Sequence, residues 1–442
     1  MARIGLFTWP GSGHVNPMAA LGRRLSKMGH SVSFVSVLDM KDIIEAAGIR
    51  FVGYGFTDYP KGRIRELNER LSKLAGLKTL RCIVDGEVKA CSVQLDELPC
   101  IIQNENFDML LVDATQPAPL TVAEHLGVPA VTIDLLPPIF DESSAPPFIF
   151  GWDYERTLFA HCRNYIGNRV FFSVWSKFMR VVGERRREWS LPAHRNINDI
   201  FSQWLRITQM PAILDFPRRR LPSNFVYAGP FIDGEGRQHV PFPWERLDGR
   251  KLIYASLGTL QNGVVAIFQA IVDAVQDRPD LQLVLSIGKG TSMEELEELP
   301  RGSIVVENAP QLELIERASL VITHAGQNTA LEALQAGKPM VAIPIASDQP
   351  GVAARLKRLG VAVVVPVKDV NALRLRAAID RVLKVERFSL AAKACRVHLS
   401  ELRGLDIAAS RIDAAVRDRT IRRRQESALA EMGPEVFVSP LR

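Results

Sequence analysis

The sequence predicts an α/β protein made of two facing, Rossmann-like domains, each a doubly wound parallel sheet, with a cleft between them. Three observations lead there. Short uninterrupted apolar runs alternate with helical patterns, as expected for parallel strands covered by helices on both faces. The same alternation restarts near residue 250. Between the two lies "PFIDGEGRQHVPFPWERLDGRK", whose Gly, Pro and mixed charge suit an interdomain connection. A chain of 442 residues, 47% hydrophobic and 24% charged, is long enough for two large cores. The expected organisation is an N-terminal domain over 1–232, a linker over 233–249, a C-terminal domain over 250–416 and a basic tail over 417–442.

Each half can be read in order. "RIGLFTW" is a strand leading into the helix "NPMAALGRRLSKMG", and "SVSFVSV" is the next strand. "FDMLLVD" precedes the helix "APLTVAEHLG", and "PAVTIDLL" follows. Residues 140–232, with "PPFIFGWDYERTLF" and "RVFFSVWSKFM", break the alternation and read as an elaboration of the first domain. The second half offers strands "KLIYASLG", "LQLVLSIG", "SIVVEN", "LVITHAG", "PMVAIPI" and "VAVVVPV", separated by helices such as "TALEALQAG" and "DVNALRLRAAIDRVLK". "LFTWPGSGHVNPMAALGRRL" and "VITHAGQNTALEALQAG" share a plan: strand, Gly-containing turn with a histidine, Asn near the helix start. Such turns lie at the carboxyl ends of their sheets, where ligands of open α/β folds bind.

Composition excludes several classes. A formal charge of +6 is mild and Lys and Arg are dispersed, so no nucleic-acid partner is required. The clusters Arg185–Arg187, Arg218–Arg220 and Arg422–Arg424 read as solvated faces, or as contacts for a membrane surface should the substrate be lipid-like. Five cysteines without metal-ligand spacing fit packing residues in a reduced compartment. "MARIGLFTWPGSG" is too short an apolar run for a signal peptide, and no run approaches the roughly 18 residues of a membrane span. A cytoplasmic protein, at most peripheral to the membrane and monomeric or weakly dimeric, is expected.

The C-terminal half carries an anion site. In "THAGQNTALEAL", Gly326 permits close backbone approach, the first N–H groups of the next helix are free, and His324 adds a side-chain donor. "YASLGT" repeats the device with Ser256, Gly258 and Thr259, so a diphosphate fits between the two turns. Thr329 and Glu332 make a Thr-x-x-Glu capping box, but a carboxylate there also suits ribose hydroxyls. Asp348 and Gln349 end the next strand, where they suit sugar hydroxyls; Asp348 also suits a helix cap.

The N-terminal half offers a base. His14 in "PGSGHVNP" sits at a helix start, where the macrodipole keeps imidazole neutral and able to take a proton. Asp113, ending "FDMLLVD", can orient it, the alternative for Asp113 being a helix or turn cap. Gly11-x-Gly13-x-x-Asn16 lacks the third glycine of a dinucleotide fingerprint. Without any Asp-x-Asp pair there is no evident clamp for a divalent cation, so neither metal nor cofactor is expected and the leaving group must be met by helix N-termini and His324. Trp9, Phe140, Phe148, Phe150 and Trp152 could wall an apolar acceptor pocket.

The span from Ala309 to Gln349 resembles the nucleotide-sugar signature of the plant-type UDP-glycosyltransferase family, with its Pro-Gln start, His-x-Gly-x-Asn-Thr-x-x-Glu centre and Asp-Gln end. The resemblance implies a GT-B fold. It implies Gln311 at the uracil, His324, Asn328 and Thr329 at the diphosphate, Glu332 at the ribose, and Asp348 and Gln349 at the hexose. Asn308 stands where many plant members carry a tryptophan that stacks on the base. The segments 215–231 and "SDQPGVAARL" resemble the bacterial zeaxanthin glucosyltransferases and their relatives. The activity implied is inverting transfer of a hexose, glucose favoured, from a UDP-sugar co-substrate to a hydroxyl of a carotenoid, polyketide or phenolic. Two alternatives share the architecture: a sugar-nucleotide 2-epimerase and a non-catalytic sugar-nucleotide or lipid-binding protein.

Overall fold

Two parallel sheets organise the chain in a computed structural model that describes residues 1–72, 77–219, 221–237, 239–258, 264–288 and 290–431. The first half runs β1 (Arg3–Phe7), α1 (Ser12–Lys27), β2 (Ser31–Ser36), α2 (Lys41–Ala46), β3 (Arg50–Gly53), α3 (Arg63–Ser72), α4 (Leu77–Glu105), β4 (Met109–Asp113), α5 (Pro117–His125), β5 (Ala130–Asp134), α6 (Leu158–Glu188), β6 (Arg206–Thr208) and β7 (Phe225–Tyr227). The second runs β8 (Lys251–Ser256), α7 (Val265–Val275), β9 (Leu281–Ser286), β10 (Ile304–Val306), α8 (Gln311–Arg317), β11 (Leu320–Thr323), α9 (Gln327–Gln335), β12 (Met340–Ala342), α10 (Gln349–Leu359), β13 (Ala362–Val364), α11 (Ala372–Lys384), α12 (Glu386–Leu402) and α13 (Gly404–Glu431).

The strand orders are β3-β2-β1-β4-β5-β6-β7 and β10-β9-β8-β11-β12-β13. Each order reverses once, between β1 and β4 in the first sheet and between β8 and β11 in the second. These reversals are the points where an α/β sheet opens a crevice at its carboxyl edge. The strands are apolar on both faces because helices cover both: Val321 packs in one layer of the second domain, while its neighbours Leu320 and Ile322 pack in the other. α9 stops as its Gly-Lys-Pro ending requires, with Gly337 left-handed at φ 67° just beyond the last turn.

The elaboration between β5 and β6 is an aromatic loop followed by the 31-residue helix α6. At the other end, α13 continues through position 416, where a domain boundary was expected. It leaves the second domain and lies on α1. Ala408, Ala409 and Ile412 are buried in the first domain's core, and Asp406 pairs with Arg24 at 2.5 Å. The crossing needs a residue without a side chain: a Cβ on Gly404 would lie 2.4 Å from the carbonyl oxygen of Gly229. Residues 432–442 lie outside the described residues.

Candidate active site

β1 delivers the chain to the first crevice, and α1 begins at Ser12 with His14 in its first turn. β4 is the neighbouring strand across the order reversal, and it ends in the fully buried Asp113. His14 Nδ1 lies 2.5 Å from Asp113 Oδ2, while Asp113 Oδ1 accepts the Thr115 N–H at 3.0 Å. A carboxylate can only accept, so Nδ1 carries the proton and Nε2 keeps a free lone pair. Trp9 tilts against the imidazole at 5.7 Å, and its indole N–H donates to Glu87 on α4 at 2.8 Å. Burial pushes the Glu87 carboxyl up. Burial acts to lower the His14 pKa, but the charge of Asp113 and its hydrogen bond, with Asp348 and Glu87 behind, leave it raised above 6.5. Contrary to the expectation from sequence, the helix start does not set the protonation of His14; the carboxylate does.

Across the gap, β8 and β11 end in the two turns carrying Ser256 and His324. Gly258 is left-handed at φ 78°, and a Cβ on Gly258 or Gly326 would lie 2.6 or 2.4 Å from the His324 ring. Both glycines exist to let the imidazole lie between the turns. The Gly258 N–H is 3.3 Å from Ser256 Oγ. Thr259 lies outside the described residues. Burial lowers the His324 pKa to about 4, so the ring is neutral near pH 7 and offers a dipole rather than a charge to an anion. As a neutral ring it can still donate one N–H to a leaving group, without adding charge.

α9 meets the first domain directly. Asn328 Nδ2 donates to the Gly13 carbonyl at 2.5 Å and its Oδ1 accepts from Gln209 at 3.0 Å, so the two glycine turns face one another. The capping-box reading of Thr329 and Glu332 does not hold, because α9 starts at Gln327 and no side chain caps it. Glu332, buried one turn in, instead accepts from Arg237 and from Gln311 Nε2, each at 2.6 Å. Gln311 also accepts from Tyr254 Oη at 3.1 Å and lies 3.4 Å from Thr329 Oγ1. Asn308 is exposed beside Glu307.

Asp348 is likewise no cap: it precedes α10 but makes no side-chain bond to that helix, and its buried Oδ2 has no partner. Burial raises its pKa to about 6. Gln349 Oε1 accepts the N–H groups of Ile345 and Ala346 at 2.8 and 2.9 Å, which fixes the loop that presents Asp348.

A histidine–carboxylate pair at one crevice therefore faces a neutral histidine, two glycine turns and the buried polar side chains of Thr329, Glu332, Asp348 and Gln349 at the other. The model of the glycosyltransferase family 28 C-terminal domain matches residues 260–405. The zeaxanthin glucosyltransferase of Pantoea ananas is 28% identical over 363 residues, 82% of this chain and 84% of that protein. The NDP-glycosyltransferase YjiC of Bacillus subtilis (strain 168) is 26% identical over 420 residues, 93% and 96% of the two chains. This chain is a GT-B glycosyltransferase. It is similar to the zeaxanthin glucosyltransferases over most of its length. The solved glycosyltransferase of kitacinnamycin shares the fold with a TM-score of 0.72 at 22% identity, over 94% of this chain and 98% of that one. The calicheamicin glycosyltransferase CalG4 does so with 0.69 at 20% identity and the same coverage.

The aromatic residues expected to wall this glycosyltransferase's acceptor pocket separate into two groups. Trp9 stands beside His14. Phe140 is instead taken up in packing, between Arg206 and Arg218 and edge-on to Phe225. Phe148 is buried against Phe171. Phe150 and Trp152 stack on each other at 4.2 Å, half-buried beneath α6. Sequence reasoning missed Glu87, Arg237 and Gln209, because each reaches the site from a helix, linker or loop whose pattern carries no sign of the contact. It also missed the buried joint in which Asp215 of the first domain accepts from Arg218 at 2.7 Å and from Arg355 of α10 at 3.0 Å.

Proposed function

We propose that this glycosyltransferase moves a hexose, glucose favoured, from a UDP-sugar to a hydroxyl of a hydrophobic small molecule, with inversion and without a metal ion. The observation that carries the reading is His14, tied to buried Asp113 and facing Asp348 and Asn328 of the other domain. His14 Nε2 takes the proton of the acceptor hydroxyl, whose oxygen attacks the anomeric carbon from the face opposite the departing diphosphate. The C1–O bond to UDP breaks as the new glycosidic bond forms, turning an α-linked donor into a β-glycoside. Asp113 holds the imidazolium that results. Backbone N–H groups at the start of α9 and the turn at Gly258 take the diphosphate, with Asn328 and Thr329 beside them. Glu332 accepts from ribose hydroxyls once Arg237 withdraws, Gln311 and Asn308 border the base, and Asp348 and Gln349 take the hexose hydroxyls. The favoured sugar follows from the Asp-Gln ending, and the hydrophobic acceptor from the relatives named for zeaxanthin.

UDP release from UDP-glucose and UDP-galactose, measured against a panel of apolar alcohols, tests the reading. His14→Ala should bind UDP normally and lose about 10²- to 10⁴-fold in turnover. Unchanged turnover would remove His14 from the mechanism, and loss of activity with EDTA would overturn metal independence. Inversion is read from the anomeric coupling of the product.

A further inference from the structure

Part of the Arg185–Arg187 and Arg218–Arg220 clusters is taken up in ion pairs, while Arg187 and Arg219 stay exposed. Arg185 pairs with Asp96, Arg186 with Glu124, and Arg218 with Asp215 and Glu142. Arg220 and the side chains of Arg422–Arg424 lie outside the described residues. A different surface is left apolar. At the start of α6, Leu158, Phe159, Tyr165, Ile166 and Val170 are 85%, 74%, 57%, 61% and 53% exposed, and Cys162 lies exposed among them.

At 3.6 residues per turn these six share one side of the helix, while Ala160, Asn164, Gly167, Asn168 and Phe171 face inward. At about 200 Å² per aromatic side chain, Phe159 and Tyr165 alone leave roughly 250 Å² open. Monomeric proteins rarely leave contiguous apolar patches beyond a few hundred Å² without a use for them. The same side carries Arg169, paired with Asp141, and continues into exposed Lys177, paired with Asp85, and exposed Arg180 and Arg187, with Glu184 and Glu188 the acids among them. Apolar side chains followed by cations on one helix face suit the acyl boundary and the phosphates of a bilayer. There is also a route inward. Asn164 and Asn168 donate to the carbonyls of Ser143 and Glu142 at 3.0 and 2.8 Å, pinning the aromatic loop under α6. That loop reaches the donor half, where the Phe148 carbonyl sits against Gly351 of α10.

We infer that the exposed face of α6 docks on an anionic lipid bilayer and admits a hydrophobic acceptor from it along the loop 140–152. The docking stands by itself; the delivery of acceptor rests on the hydrophobic-acceptor reading above.

Flotation of the full chain with vesicles of phosphatidylcholine and phosphatidylglycerol tests it. The protein should float at low salt, and Leu158→Gln/Phe159→Gln/Ile166→Gln should bind about tenfold more weakly through loss of three inserted side chains. UDP release with a water-miscible acceptor should be unchanged in that variant, which also shows that it folds. Arg180→Glu/Arg187→Glu should lose binding to anionic vesicles and keep what binding pure phosphatidylcholine supports. Failure of the wild type to float, or equal flotation of the triple variant, overturns the proposal. So does a triple variant that changes only the elution volume, since the face would then pair copies of the chain. Flotation with no UDP release from any acceptor would remove the transferase reading and leave the docking in place.

Discussion

A histidine tied to a buried carboxylate titrates differently from one at a bare helix start. With Asp113 holding the His14 pKa above 6.5, the imidazolium persists to higher pH, so the proton-accepting form is gained only as pH climbs through that raised value. Transfer should rise with pH along a limb centred above 6.5 and then level. Asp113→Asn removes the charge that raises the pKa, so the limb should move to lower pH while turnover falls; a limb that stays in place in the pH profile would show that another group titrates. Glu332 gives a second outcome. In Arg237→Ala the buried carboxylate keeps only Gln311, so the free protein should melt roughly 2–4 °C lower. UDP should then stabilise the variant more than the wild type, because ribose no longer displaces an arginine; an equal shift in both would dissociate Arg237 from the donor site. The identities of His14, His324 and Glu332 were legible in the sequence because each follows a strand in a glycine-bearing turn or its helix. Their electrostatics were not, since the partners that set them lie 99 residues away for His14 and 95 for Glu332.

Strands and their order of appearance were readable for a physical reason. A parallel strand covered on both faces must be apolar throughout, so β1, β4, β8 and β11 stand out as runs, and the turns after them fall at the sheet edge. The long helix α6 was hidden, because its aromatics serve both the buried and the exposed face and blur its period. The joint between α10 and the first domain was hidden too, since nothing in "GVAARL" marks Arg355 as an ion-pair partner. Burial would raise the Asp215 pKa, yet Arg218 and Arg355 hold it well below the ordinary carboxylate range. Asp215→Ala would leave the buried Arg355 without a carboxylate and Arg218 with Glu142 alone, and should cost about 3–5 kcal/mol in thermal unfolding. Because α10 begins at Gln349, just after Asp348, the same change should also raise the donor KM. A lowered melting point with unchanged donor KM would mean that the joint stabilises the fold without positioning the site.

At the scale of the whole molecule, the last described helix belongs to the domain that comes first in the chain. Ile412 is fully buried in the first domain's core, and His30 Nε2 lies 3.2 Å from Asp413 on the same helix. Two links therefore join the halves, the 233–249 connection and the return of α13 across Gly229–Pro230, and together they restrict how the cleft opens. A hinge with one strand can twist, whereas one with two is confined mainly to opening and closing. Ile412→Ala removes buried methyl groups from the first domain and should cost about 2–5 kcal/mol. If α13 is part of that domain, unfolding followed by tryptophan emission at Trp9 and Trp175 should move to lower denaturant, while the UDP-stabilised transition of the second domain keeps its midpoint. Loss of both together would instead mean that the halves unfold as one unit, with Asn328 on Gly13 and Asp215 on Arg355 strong enough to couple them. A second-domain transition that moves alone would place the docking of α13 in the wrong half.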